Sequence, residues 1–327
     1  MRLITPEYFK DFKCIGGKCP DNCCIGWEVR VDSETLGKYD ALHSGELCAS
    51  IRRHLRRADG EAVIEMSEDG RCPFLNKDNL CDLIIALGDS HIPEICREHP
   101  RYFTPLGDRV FGGVGLSCDA AARLILSESG AHRYIVDECD GFTEEICDEE
   151  LLERIALKKQ IIIDKLCEKE PSFIDKLSFA IEEISPLCEL EGERMVMPRK
   201  EDLLELHASL EYLDPAFFDR VRSALSCGPR LDRLTEQMEE YLSRICIYLI
   251  DRYLPQAAVF GDVLEKLAVI LAQTLAIAHL FLSEGAHELE PCVRLAREYS
   301  REIEYNEENV AKIEDAAAEL LLRAKAE

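Results

Sequence analysis

Residues 14–24 read CIGGKCPDNCC and place Cys14, Cys19, Cys23 and Cys24 within one short stretch. Thiolates are soft ligands suited to zinc or to iron–sulfur clusters, and a tetrahedral site or a cubane needs four ligands. Short loops between ligands let a chain wrap a metal with little closure entropy. Adjacent Cys23 and Cys24 do not readily serve one iron together, so one of them is expected to face another partner. Further along stand Cys72 and Cys81, with eight residues between them, then Cys96 and Cys118. Turn-formers flank them: Gly16, Gly17 and Pro20 near the first group, Pro73 after Cys72.

The compartment decides what so many thiols are for. MRLITPEYFKDFK has neither the apolar segment nor the cleavage site of a secretory signal, so a cytoplasmic protein is expected. There thiols stay reduced, and sixteen cysteines point to metal or redox chemistry rather than disulfides. Spacing does not choose the metal. The C-x2-C knuckles of zinc ribbons are absent. The C-x3-C-x2-C triplet of radical enzymes begins at Cys19 and Cys23, but Gly26 occupies its third position. Iron–sulfur and zinc both stay open on spacing alone.

The chain carries a formal charge of −25, unevenly spread. Residues 1–130 hold 16 Lys and Arg against 21 Asp and Glu; the remainder holds 23 against 43. Such acidity repels nucleic acid and anionic membranes and favours a cationic partner such as a lysine-bearing protein. Neither nucleic acid nor membrane is therefore expected as a partner. The most apolar stretch, residues 263–282, includes Glu265, Lys266, Gln273 and His279 and reads as a buried core helix, not a membrane span.

Local patterns predict a mainly α protein: an N-terminal cysteine-rich module with small β-hairpins (residues 1–130), then an all-helical body (131–327). GWEVRVD (26–32) alternates like a strand. AVIEM (62–66) and CPFL (72–75) are expected to pair across SEDGR, and 101–117 to turn back at Gly107–Asp108. A short helix should end at Gly88, and CDAAARLILSES has helical composition. After residue 140 apolar residues recur at helical spacing, with helices expected from DEELLERIALKKQ onward and near 173–186, 201–212, 215–226, 231–253, 261–284, 288–304 and 307–325. Cys139, Cys147, Cys167, Cys188, Cys227, Cys246 and Cys292 are scattered singly there and read as small buried side chains.

Four segments together, PEYFKDFKCIGGKCPDNCCIGWEVRVD, RCPFLNKDNLCDL, ICREHPR and LSCDAAARLIL, resemble the flagellin lysine-N-methylase (FliB-type) family. That family is related to a wider group of cysteine-cluster proteins regarded as zinc- or iron-chelating. The resemblance continues through residues 246–282 and 299–313 and is weak only at about 140–235. It implies a protein-lysine N-methyltransferase acting on flagellin, with S-adenosylmethionine as donor and a [4Fe–4S] cluster. It shifts the choice of metal toward iron–sulfur, with zinc as the alternative. Cys14, Cys19, Cys23, Cys24, Cys72, Cys81, Cys96 and Cys118 match its pattern as metal ligands, without saying which four act; Cys48 lies outside it. His99 stands where the family tends to have an aromatic residue, and Asp119 where it tends to have proline.

Methylating a lysine needs a neutral amine, and roughly one lysine in a few thousand is neutral at pH 7. His99, Tyr102 and Asp82 are candidate bases, or else surface polar residues; none is assigned as catalytic. Trp27, the single tryptophan, directly follows the cysteine run and offers a ring face to the donor's sulfonium, or else anchors the module's core. FGGVGLSCDAAARLIL lacks the full G-x-G-x-x-G of a nucleotide-binding turn, so its glycines are assigned to a hairpin. A non-catalytic iron–sulfur or zinc carrier, or an electron-transfer protein with a helical docking domain, is the alternative function.

Overall fold

The computed structural model describes residues 1–324 except 59, 189 and 191. Strand β1 (Arg2–Pro6) opens the chain, followed by β2 (Val29–Arg30), α1 (Ser33–Asp40), α2 (Glu46–His54), β3 (Leu55–Ala58) and β4 (Glu61–Ile64). Short helices α3 (Asp82–Leu87) and α4 (Glu94–Glu98) precede β5 (Arg101–Leu106), β6 (Arg109–Val114), α5 (Asp119–Ser127) and β7 (Tyr134–Glu138). Next come α6 (Glu149–Cys167), α7 (Phe173–Ile184), β8 (Glu193–Met195), α8 (Lys200–Ser209), α9 (Pro215–Cys227) and α10 (Glu236–Tyr253). The last elements are α11 (Ala257–Phe260), α12 (Val263–Glu284), α13 (Leu289–Tyr299), α14 (Glu307–Asp315), α15 (Ala317–Leu321) and β9 (Leu322–Ala324).

The chain divides into two compact units, and helix dominates. One holds Lys13–Tyr102 with Cys118–Ala120; the other holds Met1–Phe12, Phe103–Ser117 and Ala121 onward. Residues 1–12, 103–117 and 121–130, grouped with the cysteines by sequence, cluster with the helices.

In the helical unit side-chain caps open several helices. Asp148, Ser172, Thr235 and Asn306 each accept a backbone N–H in the first turn of the helix they precede, satisfying donors the helix leaves unpaired. Gly285, at φ +62°, closes α12. By length and composition α12 alone among the described helices is apolar enough to cross a membrane, but most of it is buried in this unit, packed on α9, α10, α14 and α15.

The unit is not all-helical. A sheet in the order β5-β6-β1-β7 joins β1 in parallel to β6 and antiparallel to β7, and β8 pairs with β9. Local periodicity misses β1, β7, β8 and β9 because their partners lie more than a hundred residues away. The helix expected over 307–325 breaks after Asp315 and ends at Leu321, where Leu322–Ala324 pairs with Met195–Glu193; residue 325 lies outside the described residues. The hairpin turning at Gly107–Asp108 is present, and Gly112 and Gly113 lie within β6.

In the cysteine-bearing unit, β4 pairs with β3 and β2, not with CPFL. Two adjacent strands of four residues form the longer ladder, and residues 71–75 are left to join other segments. Val29, Val31, Tyr39, Ile51, Ile64, Phe74, Leu83 and Ile92 form the core, with Cys72 and Cys81 packed against it.

Candidate functional site

All eight patterned cysteines fall in this one unit, Cys118 included, although residues 103–117 do not. Two backbone ties bring the first cysteine run to the second. Cys72 donates its N–H to the Cys24 carbonyl at 2.8 Å, Gly26 donates to Gly70 at 2.8 Å, and Ile25 bridges Arg71. The turn NKDN then reverses the chain: Asn79 sits at φ +55°, the Asn76 carboxamide accepts from Asp78 and Leu80, and Leu75 bridges Cys81. Arg71 reinforces the turn through the Asn79 side chain at 3.0 Å.

The second tie is a close backbone approach. A Cβ on Gly17 would stand 2.4 Å from the Asp78 carbonyl oxygen, so only glycine fits between Cys14 and Cys19. Gly17→Ala should cost about 1–3 kcal/mol in urea unfolding, as overpacking generally does. An unchanged midpoint would show that the two turns do not touch.

The thiols influence one another. The Cys23 and Cys24 side chains share a hydrogen bond, which lowers the Cys23 thiol to about 7 and, with burial, Cys72 and Cys96, raises that of Cys24. Cys96 keeps accessible surface, yet the dense protein around it, with Cys72, Cys23 and Cys81 nearby, pushes its thiol up to about 12. Burial raises Cys72, and Cys81 adds to the effect. Cys23, Cys24, Cys72, Cys81 and Cys96 are thus within electrostatic reach as a set. Cys19 touches it through Cys23, and its Sγ donates to the Asp21 carbonyl at 3.0 Å; burial, and after it Asp119, raise its thiol. Cys14 is exposed, its Sγ 3.4 Å from the Gly16 N–H; Cys118 is half-buried. Cys48, outside the pattern, is buried and donates to the Leu42 carbonyl.

Among the described residues, no three His, Cys, Asp or Glu side chains stand close enough to share a metal ion as they are. The donor chemistry nonetheless suits a thiolate-bound metal: five thiols of this unit lie within electrostatic reach of one another, and the buried hydroxyl of Tyr39, which three of them influence, lacks a hydrogen-bond partner. Sequence reading passed over Tyr39 because a tyrosine in an amphipathic helix carries no ligand signal.

The candidate bases separate. The ring of His99 lies 6.4 Å from that of Trp27, tilted by 49°, and burial lowers its imidazole to about 4. It is neutral at pH 7 and a weak proton acceptor, below the range that suits general-base catalysis. Asp82 is exposed and accepts from the Asn76 carboxamide at 2.9 Å, serving the turn. Tyr102 is half-buried at the end of the unit. A solvent-open hollow of about 560 Å³ adjoins Cys72, its lining including Glu68, Asp69 and Arg71.

Of the scattered cysteines, Cys246 and Cys292 are buried as expected. Cys227 is exposed, and Cys139, Cys147, Cys167 and Cys188 are only half-buried. Cys167 and Cys227 are the last residues of α6 and α9, and Cys139 directly follows β7, where the chain leaves an element and its packing thins.

Against known proteins, the chain is 29% identical over 140 residues to proteins of Salmonella choleraesuis and Salmonella typhimurium. The chain is similar to proteins named lysine-N-methylase. The same identity and length relate it to the flagellar biosynthetic protein FliU of Salmonella muenchen. Each match takes in 40% of this chain and spans 35% of either methylase and 82% of FliU. The similarity is therefore narrower than the resemblance through most of the chain that its motifs suggested. No family model and no solved structure matches.

Proposed function

We propose that the chain is a cytoplasmic protein-lysine N-methyltransferase that acts on flagellin with S-adenosylmethionine as donor and a thiolate-held [4Fe–4S] cluster. The observation that carries this reading is the gathering of Cys23, Cys24, Cys72, Cys81 and Cys96 in one compact unit. The similarity to lysine-N-methylases and to FliU supports its chemistry. Cys72, Cys81 and Cys96, with one of the adjacent pair Cys23 and Cys24, would hold the metal. When bound, such a cluster supplies one-electron chemistry and a Lewis-acidic iron.

The remaining work falls to the chain's own residues. In the transfer itself the lysine lone pair forms the new N–CH3 bond as the methyl–sulfonium bond breaks, and the amine then sheds a proton. A cationic donor is drawn to aromatic faces and carboxylates. Trp27 offers the first; Glu68 and Asp69 in the hollow beside Cys72 offer the second, with Arg71 placed to pair with the donor's carboxylate. His99 is neutral at pH 7 and weakly basic, so it is not assigned as the group that takes the amine's proton. The excess of 43 acidic over 23 basic residues beyond residue 130 draws a lysine-bearing surface.

Anaerobic incubation with S-adenosylmethionine and flagellin from the same organism tests the reading by intact mass. Methyl-sized increments on lysine are expected with the native protein and none with Cys72→Ser. Protein with bound iron and sulfide that adds no methyl group would leave the non-catalytic carrier in its place.

A further inference from the structure

Tyr39 lies in α1, and its ring belongs to the same core as Cys72 and Cys81. It is 3% exposed, and its hydroxyl has no hydrogen-bond partner. Other buried hydroxyls lack partners too, those of Ser117 and Thr274 among them, but the Tyr39 ring shares its core with Cys72 and Cys81. Burial drives its pKa up, and Cys96, Cys81 and Cys72 drive it further.

The position is built, not incidental. Asp32 caps α1 by accepting from Thr35 at 2.8 Å and with its other oxygen accepts from Glu94 at 2.8 Å, the first residue of the helix that carries Cys96. Thr35, one turn before Tyr39 on the same buried face, donates its hydroxyl to the Ile92 carbonyl at 3.3 Å. Lys38 donates to the Ser90 carbonyl at 2.7 Å. The cap Asp32 and two side chains of α1, Thr35 and Lys38, thus fix the helix against residues 90–94, and Tyr39 follows.

A thiol is a poor acceptor, whereas a metal-bound thiolate is a charged and strong one. We infer that the Tyr39 hydroxyl is the outer donor to one of the metal-bound sulfurs of Cys72, Cys81 and Cys96, idle until metal arrives and hydrogen-bonded once it does. The inference rests on the metal reading proposed above and makes Tyr39 a positioning residue, not a catalytic one. Such outer partners orient ligands and set the electronics of the metal. A hydrogen bond that stabilises negative charge on sulfur also favours the reduced cluster.

Tyr39→Phe keeps the ring and removes only the hydroxyl, so its effect should change character with loading. In the metal-free full chain the urea midpoint should hold or rise, because deleting an unpartnered buried hydroxyl removes no bond. After anaerobic reconstitution with iron and sulfide, the variant should have a more negative reduction potential and retain iron against a chelator roughly 10- to 100-fold less well. A variant that weakens the metal-free protein, or one whose potential and iron retention equal those of the native protein, would overturn the assignment while leaving the cluster in place. Native protein that takes up neither iron nor sulfide would overturn the metal reading and this inference with it.

Discussion

Asp251→Ala should destabilise the protein by about 3–5 kcal/mol in urea unfolding, the cost of stripping one partner from a buried ion pair. Asp251 lies on α10 with its side chain only 7% exposed. It accepts from the Tyr134 hydroxyl at 2.5 Å, from Lys159 at 2.8 Å and from His132 at 3.1 Å. Lys159 comes from α6, and His132 and Tyr134 from the start of β7 and the residues just before it, so one carboxylate ties these two stretches to α10. Removing it leaves two cations facing each other in a space that water hardly reaches. Lys159→Met in the same chain should recover part of the loss, and the cycle of single and double variants gives the coupling. Two effects that simply add would mean that the pair does not interact.

Stability should also fall in alkali, earlier than lysine titration would bring it down. Burial alone would depress the His132 imidazole, but Asp251 and Glu128, bonded to its two ring nitrogens, outweigh burial and raise it to about 9. Tyr134 and Tyr8 face the same ring, Lys159 reaches it through Asp251, and Arg244 lies 3.8 Å from Glu128. The unfolded chain gives up the proton near 6.5, so the charged imidazole's contribution is complete below that pH and is lost as pH rises through about 9. A rise from 6.5 to 9 corresponds to roughly 3 kcal/mol. Asp251 acts with the opposite sign. Burial opposes its charge, but Lys159 and His132 hold its carboxyl down to about 2, so its contribution stands above pH 3.8 and disappears as pH falls through 2. Unfolding free energy measured against pH should therefore be highest between about pH 4 and 6.5 and decline toward pH 9. His132→Gln should flatten the alkaline limb; a native profile level from pH 6.5 to 9 would show the imidazole to be neutral in the fold.

Helices were legible wherever the signal is local. Apolar residues at helical spacing announce the helices after residue 140; the caps at Asp148, Ser172, Thr235, Asn306 and Gly285, which the structure adds, likewise act within one turn. What sequence could not show is held by distant partners: β1 beside β6 and β7, β9 beside β8, and the Asp251 network, whose members are 92 to 119 residues apart. The candidate site divides along the same line. Thiol spacing and turn-formers mark the cysteines as a group, and the NKDN turn is plain from composition. That Gly17 must be glycine depends on Asp78, sixty residues on, and that Tyr39 belongs with the thiols depends on how Asp32 and Thr35 seat α1. The pairing expected of CPFL failed because Leu55–Ala58, closer in sequence, forms the hairpin with Glu61–Ile64.

Anaerobic purification of the full chain, followed by absorption spectroscopy and analysis of iron, acid-labile sulfide and zinc, tests the central proposal most directly. Brown protein carrying iron and sulfide in equal amounts is expected, with both lost in Cys72→Ser or Cys96→Ser. Stoichiometric zinc without sulfide, or no metal at all in protein never exposed to oxygen or chelator, would contradict it.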